Sequence, residues 1–595
     1  MSQDADSRGL APAFIPTLFV VLAVALPLLS YPLAILPREY ATHRFDFYFP
    51  WTALAAAACL FGVAFWRTES LRLSSGVKWL AGALLLFLAS QSVSAWLSGG
   101  ETGQFDFLFR SGSGVFLCFV GARFLDSRRL KQFAVAWTLA AAVEAAVMLA
   151  QVVWGVEPVG LAGNRNFAAC FLAMSLPIGV ACAVAFGRQW LLAAAYVMLL
   201  CGALLVSESR GAAMALLVAA LGWLLARPGG RKWWLRTVAV VAVLAGMMLL
   251  PPVQNAAKRF WNNDVRPMIW LGSARAMADA PFVGHGPGSF VRVYPAHRPR
   301  EYFDRPKCAL VTDHAHNEFL EIGVETGALG VLAFVALLAV AAGAARKAVR
   351  NERDESLRVL AVGMTMGWGV LLVQNLVDIN LFMPPNESLF WLMIAWLVGA
   401  ANTGGFAEAS VSLQPAARLI AGVLAALVLA FGVAKPTYAN WLFREGSVAQ
   451  AAGDERGAFQ IFLRVVETDP ARVEAWRRAG LAAFKLGKLD AAVAAFRSGH
   501  RLMPDYADLN GELGSLLAMK GDFSEAARLL TRAAELYPRD AKNFAKLALA
   551  RLSLKETEAA RRAFEEAKRL EPNNELVRWV EKKLNQQPES SRVSP

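Results

Sequence analysis

Apolar windows of 17 or more residues recur from about residue 14 to residue 435, and nothing else in the chain limits its fold so tightly. Each is close to the ~20 residues that cross ~30 Å of hydrocarbon, where a segment has to satisfy its own backbone amides. Candidate spans fall near 14–36, 48–66, 77–98, 113–126, 131–155, 166–187, 189–206, 211–226, 233–252, 320–345, 357–380, 386–402 and 416–435. The fourth is short, and only Gly187 and Arg188 separate the sixth from the seventh. The first 13 residues lack the basic start and small-residue cleavage site of a secretory signal, so the first span is expected to stay in the protein. The expected fold class is all-α: a polytopic helical membrane protein of about 12–13 transmembrane helices, followed by an α-solenoid.

Composition draws the domain boundary. Residues 436–595 hold 26 Lys/Arg and 22 Asp/Glu, whereas the 435 residues before them hold only 34 and 25. A membrane domain over 1–435 and a polar domain over 436–595 follow. Lys and Arg mark the cytoplasmic side of short loops. They collect in alternate connections, such as Arg67–Lys78, Arg123–Lys131, Arg227–Arg236 and Arg346–Arg353. The other connections then face outward, and they contain GNRN (Gly163–Asn166), SESRG (Ser207–Gly211) and the long loop 253–319. With thirteen spans the polar tail lies on that outer side too, periplasmic in a bacterium.

The tail is periodic. Pro470, Pro504, Pro538 and Pro572 stand 34 residues apart, and Ala458, Ala492, Ala526 and Ala560 stand twelve before them. Phe462, Phe496, Leu530 and Phe564 share one register, and Gly446, Gly480, Gly514 and Ala548 another. Gly453, Gly487 and Gly521 mark a turn within each unit, where Lys555 breaks the series. This pattern resembles the tetratricopeptide repeat: small residues let paired helices approach, aromatics fill the gap, and proline closes each unit. Such solenoids present a concave surface to peptides or proteins, which implies a protein partner, the alternative being a passive structural cap.

The outer loop 253–319 carries nine Lys/Arg against six Asp/Glu and four of the six histidines, His285, His297, His314 and His316. Its basic excess suits an anionic ligand. Asp313, His314, His316 and Cys308 could be weighed as zinc ligands, but His-x-His in a loop lacks the spacing of a structural zinc site. No clustered carboxylates suggest Mg²⁺, so no metal or cofactor is expected, and nothing implies nucleic acid. His285 and His297 read as solvated loop residues.

His316 and Asn317, followed by Gly327, Gly330 and Val331, form an HN-x9-GxxGV pattern. It resembles the signature of bacterial O-antigen ligases and the related O-antigen polymerases and protein O-oligosaccharyltransferases. Arg266, Trp270, Pro281, Gly284, Gly286 and Gly288 resemble the opening of that superfamily's large periplasmic loop. Asn164, Asn166 and Ser209-Arg210-Gly211 resemble its earlier outer motifs. The resemblance spans about residues 14–435, and the repeat tail is an addition. It implies a multi-pass inner-membrane enzyme moving a glycan from undecaprenyl pyrophosphate to an acceptor on the periplasmic face. The acceptor is lipid A core in a ligase, another lipid-linked glycan in a polymerase, or Ser/Thr of a protein in an oligosaccharyltransferase.

The residue types suit that chemistry. Guanidinium forks pair bidentately with phosphate oxygens, which assigns the pyrophosphate to Arg210 and Arg266, with Arg165 as a further candidate. Imidazole, ordinarily titrating at ~6.5, is matched to taking a hydroxyl proton near neutrality. His316 is the first candidate for that role and His314 the second. Asn317, Asn164 and Asn166 are supporting residues. Of Glu318, Glu321 and Glu325, Glu318 is the one expected to orient a histidine, and the others read as structural acids in a first helical turn. An Arg at a span end can also be a lipid anchor, but Arg210 sits on the outer side beside Glu208, where an anchor is less expected. Two rival readings are a flippase for lipid-linked sugar, which would show repeat symmetry and ionisable groups within spans, and a membrane anchor for a repeat scaffold. Glu144 and Asp378 are the intramembrane candidates for the former.

Overall fold

The computed structural model describes residues 70–99, 125–226, 251–402 and 435–586 apart from isolated positions, with scattered positions in 108–122, 235–238 and 409–423. The expected spans near 14–36, 48–66, 233–252 and 416–435 lie wholly or largely outside these residues, and 113–126 is described only in part. The protein is nearly all helical. A short antiparallel pairing of β1 (Ser70–Leu73) with β2 (Ala409–Ser412) joins two connections distant in sequence.

Among the described residues, six helices are long and apolar enough to cross a membrane. They are α1 (Ser75–Leu97), α2 (Ser127–Val153), α3 (Arg165–Ala185), α4 (Trp190–Ser207), α9 (Glu318–Asn351) and α10 (Glu355–Gln374). Two shorter apolar helices are α5 (Arg210–Ala226) and α11 (Pro384–Ala401). The expected break at Gly187 and Arg188 is therefore real: α3 ends before it and α4 begins after it. The expected span 357–380 stops early, at Gln374, and its last residues form the turn that carries Asp378.

Small residues set the packing, as they must where apolar burial alone does not drive helices together. A methyl added at Gly363 or Gly367 of α10 would stand 2.6 Å from the Pro177 carbonyl oxygen or 2.4 Å from that of Met174, so α10 lies directly on the α3 backbone. Hydrogen bonds lock the bundle at a few points. The Trp137 indole donates to Ser175 at 2.8 Å, and that of Trp396 donates to the Leu130 carbonyl at 2.9 Å.

Between α5 and α9 the long loop is itself helical, with α6 (Pro251–Asn263), α7 (Arg266–Asp279), α8 (Phe290–His297) and a 3₁₀ turn, Arg300–Asp304. It has its own small core of Ile269, Ala276, Phe290, Tyr294, Tyr302 and Phe303.

The tail is a stack of helix pairs: α12 (Lys435–Ala451) with α13 (Glu455–Thr468), α14 (Val473–Lys485) with α15 (Leu489–Leu502), and α16 (Ala507–Met519) with α17 (Phe523–Leu536). The last pair is α18 (Ala541–Ser553) with α19 (Thr557–Leu570), closed by α20 (Glu575–Asn585). The periodic residues do what their types require. Ala458, Ala492, Ala526 and Ala560 are fully buried, and a methyl on Gly480 would stand 2.8 Å from the Phe496 ring it now admits.

The turn within each pair needs the left-handed region, with φ of 81° at Gly453, 72° at Gly487 and 88° at Gly521. Lys555 adopts the same conformation at φ 64°, at a cost of ~1–2 kcal/mol for a residue with a β-carbon. Lys555→Gly should therefore stabilise the repeat domain by up to ~1 kcal/mol, less whatever the freer unfolded chain gives back. Chemical denaturation followed by tryptophan fluorescence would read the gain, and an unchanged or lowered midpoint would show that the turn is unstrained.

Candidate functional site

The loop is fastened to the membrane helices by backbone contact. Helix α9 breaks at Gly327, which has φ 62° and ψ −161°. At this break the turn after α7 lies against it: His285 N–H donates to Val324 O, Gly286 N–H to Glu325 O, Ala328 N–H to Pro281 O and Leu329 N–H to Phe282 O, all at 2.8–3.0 Å. Two main chains this close leave no room for side chains. A β-carbon on Gly284 would fall 2.3 Å from the Glu325 carbonyl carbon, and one on Gly327 would fall 2.4 Å from that of Phe282. The Ser94 hydroxyl, from α1, also donates to Glu325 O at 2.8 Å, and the Glu325 carboxylate accepts from Phe290 N–H at the start of α8 at 3.3 Å. The glycines of both motifs are thus the two halves of one seam.

The histidine segment hangs from the α9 end of this seam. Asn317 is the N-cap of α9, its side-chain oxygen accepting from Leu320 N–H at 3.1 Å while its amide donates to Leu376 O at 2.9 Å. Glu318 N–H donates to Asn375 O at 2.9 Å. These bonds tie the segment to the turn after α10. Between them and the loop, His316 is held at φ 50°, a left-handed conformation that costs a non-glycine residue ~1–3 kcal/mol and is often found at functional sites. Upstream, Thr312 meets the Tyr302 hydroxyl at 3.2 Å and accepts from Arg298 at 3.3 Å, and Arg298 lies over the rings of Tyr294, Tyr302 and Phe303.

Each histidine faces a carboxylate, though not the one expected. His314 Nδ1 is 2.6 Å from Glu321 Oε1, and the other Glu321 oxygen accepts from Ala315 N–H at 3.0 Å. Glu321, one helical turn on from the expected Glu318, is thus a carboxylate that meets His314. His316 Nδ1 stands 3.5 Å from Asp378 Oδ1, with no hydrogen bond made. Burial works to raise the Asp378 carboxyl, but the neighbouring His316 ring and the Arg266 charge outweigh it and hold the group below its ordinary value. Asp378 is thus an anion facing an imidazole and a guanidinium. The sequence pointed to Asp378 only as an acid inside a span; its partnership with His316 depends on the α10 turn folding back. The His314 side chain is 12% exposed and that of His316 32%, which makes His316 the more open of the two.

The other arginines gather from the bundle side. Arg165, at the first position of α3, lies 3.5 Å from Glu208, and Asn164 caps the helix by accepting from Asn166 N–H at 2.8 Å. Glu208 has φ 53°, the second left-handed non-glycine residue of the membrane domain among those described. It precedes Ser209 and Arg210, and a methyl on Gly211 would touch Val377, the neighbour of Asp378. The loop before α3 is held from within the bundle, where buried Glu144 accepts from Leu161 N–H at 3.0 Å and Gln151 from Gly160 N–H at 2.8 Å. Glu144 is thus a clamp on the Asn164 loop. Arg165, Arg210, Arg266, His314 and His316 come to one end of the bundle. Asn317 builds the frame, while His285 and His297 are engaged elsewhere: His285 Nε2 bonds the Ala276 carbonyl at 2.9 Å and His297 Nε2 pairs with Asp279 at 2.6 Å. Among the described residues, no group of three or more His, Cys, Asp or Glu is placed to hold a metal ion.

A family model described as O-antigen ligase matches residues 195–335, an interval holding Arg210, Arg266, both site histidines and the whole glycine seam. The chain carries an O-antigen ligase domain. Models of the tetratricopeptide repeat match residues 483–548 and 541–574. A curated relative, an O-antigen ligase of Pseudomonas aeruginosa, is 26% identical over 204 residues, 33% of this chain and 45% of that protein. The chain thus spans less than half the length of this relative. Among solved structures, the crystal structure of MamA is 24% identical, covering 24% of this chain and 84% of that one with a TM-score of 0.22. YrrB, described as a TPR protein with an unusual peptide-binding site, is 18% identical, covering 28% and 82% with a TM-score of 0.23. The O-antigen ligase domain and the apolar helices together make this a multi-pass bacterial membrane protein.

The seam generates a direct expectation. Gly284→Ala forces both a clash with the Glu325 backbone and a left-handed alanine, and should destabilise the detergent-purified protein by at least ~1–3 kcal/mol. Thermal unfolding and protease sensitivity of the 300–313 segment would both report it, and a wild-type melting curve would mean that the two chains do not touch there.

Proposed function

We propose that this protein transfers a glycan from a polyprenyl pyrophosphate donor to an acceptor hydroxyl on the periplasmic face of the inner membrane, the acceptor being lipid A core as in an O-antigen ligase. The observation that carries the reading is the convergence of His316, Asp378 and Arg266, supplied by three separate segments, at the end of the bundle that also presents Arg210. In the proposed reaction His316 takes the proton of the acceptor hydroxyl through Nε2, with Nδ1 directed at Asp378. The hydroxyl oxygen bonds to the anomeric carbon, the bond from that carbon to the phosphate oxygen breaks, and the lipid pyrophosphate leaves with the electron pair. Arg210 and Arg266 neutralise the charge that gathers on the leaving group, a role that guanidinium forks perform without a metal ion. Asp378 is a positioning residue: it sets the imidazole orientation and favours the imidazolium that forms.

His316→Ala should abolish transfer in membranes supplied with lipid-linked glycan, a loss of ~10²–10⁴ in kcat, while donor binding persists. Asp378→Asn should lower kcat less and move the acid limb of the pH–rate profile to lower pH, because the imidazolium loses its counter-charge. Arg210→Lys should weaken donor binding, since a point charge replaces a planar fork. Near-wild-type transfer by His316→Ala would remove this mechanism, and loss of activity on chelation would bring a metal back into it.

The tail is proposed to share the periplasmic side with His316, supported by its contacts with the loop: the Tyr537 ring lies 5.4 Å from that of Phe303, and Arg539 is 3.7 Å from Asp304. A topology reporter fused after Asn585 and a membrane-impermeant label on a cysteine at position 304 should both answer from the periplasm. Opposite answers would separate the solenoid from the site.

A further inference from the structure

The repeat register has a further exception. At one place in the 34-residue register, on the first helix of each unit, stand Leu442, Trp476 and Phe544, but in the third unit the same place holds Asn510. The substitution keeps the local hydrogen bond and loses the bulk. The Trp476 indole donates to Pro470 O at 2.9 Å, and the Asn510 amide donates to Pro504 O at 2.6 Å, one repeat later. Where an indole would stand, a groove of about 540 Å³ opens between α15, α16 and α17, within the roughly 300–1,000 Å³ of small-molecule sites.

The residues that line it are nearly all polar by type, His500, Asp505, Asn510, Thr531, Arg532 and Glu535, with Arg528 on the rim and Pro504 beside them, and their carbon stems supply more of the groove's surface than their polar tips do. Two of these groups present a buried atom with no partner. Asn510 is fully buried, and its side-chain oxygen accepts nothing; His500 Nδ1 is equally without a bond. Burial, then the Arg528 charge, holds His500 below its ordinary value, which favours the neutral ring. The charges nearly cancel. Arg532 pairs with Asp505 at 2.6 Å and Glu535 at 3.1 Å, so the groove offers dense donors and acceptors with little net field. A phosphate would need unpaired cations, whereas a sugar ring sets hydroxyl groups around C–H faces and suits polar tips carried on carbon stems. Hydroxyl groups, which donate and accept at once, match this lining.

We propose that this groove binds a carbohydrate chain, so that the solenoid holds glycan rather than protein at this point. The position suits it: Glu535 stands two residues before Tyr537, which packs on the loop next to the histidine segment. A sugar bound here lies on the repeat that touches the proposed transferase site. The inference goes beyond the transfer reaction, and its test does not require turnover.

The full-length protein in detergent is applied to an array of defined bacterial-type oligosaccharides, with inorganic phosphate and a glutamate-rich peptide as competitors. Wild type should retain at least one neutral oligosaccharide that neither competitor displaces. Asn510→Trp, which installs the residue that the preceding repeat already accommodates as Trp476, should weaken retention at least tenfold with the melting temperature preserved. Arg528→Ala, on the exposed rim, should weaken it severalfold and provides a second reading if the tryptophan variant unfolds. Absence of any retained sugar, displacement by phosphate or the acidic peptide, or undiminished binding by both variants would overturn the assignment.

Discussion

The seam between two backbones, residues 281–286 against residues 324–329, is the constraint on which the rest of the membrane domain depends. The loop and α9 share a small apolar core, in which Val324 joins Ile269, Ala276 and Phe290, and at the break itself hydrogen bonds between main chains join them. Inside a low-dielectric layer those bonds are strong when made and costly when absent. The break at Gly327 frees the carbonyl and amide groups that the loop takes up, and Gly284 lets the loop come close enough to take them. Neither glycine works without the other. Their spacing in the chain reflects the length of loop folded between them.

The seam also explains how a strained histidine can be held. His316 sits in a conformation that a free chain would leave, and it is over-determined from both sides: Thr312 and Ala315 are fixed to the loop and to Glu321, and Asn317 and Glu318 to the end of α10. The arrangement aims the His316 ring toward Asp378 and leaves its neighbour His314 on Glu321. Two imidazoles one residue apart thereby acquire different surroundings. One is nearly buried against its carboxylate, and the other is about a third exposed.

How much of this was legible in the sequence follows from the range of each interaction. The repeats were legible residue by residue, because a solenoid contact depends on near neighbours and repeats with them: Gly480 faces Phe496 as Gly446 faces Phe462. The break between α3 and α4 is local and readable, and the Asn317 cap is local too, although the sequence reading has Asn317 only as a supporting residue. The pairings of Asp378 and Glu321 with the histidines are hidden from the sequence for one physical reason. A carboxylate's role is set by what the fold brings against it, and the turn after α10 and the first turn of α9 meet the histidines only once the seam has closed. The motif glycines were recognisable as a pattern, yet their purpose was not, since nothing in a GxxGV spacing says that another backbone will lie on it.

The solenoid and the loop meet through a tilted aromatic contact and an ion pair, and this has a mechanical consequence. Phe303 touches Tyr537 on one side and the Arg298 guanidinium on the other, and Arg298 bonds Thr312, two residues before His314. Tyr302 reaches the same threonine. The path from the third repeat to the histidine segment therefore runs through Tyr537, Phe303, Arg298 and Thr312, every step a direct contact. The exposed, polar part of this chain is in this way built against a segment of the membrane domain whose conformation is strained, and strain is where a small push does most.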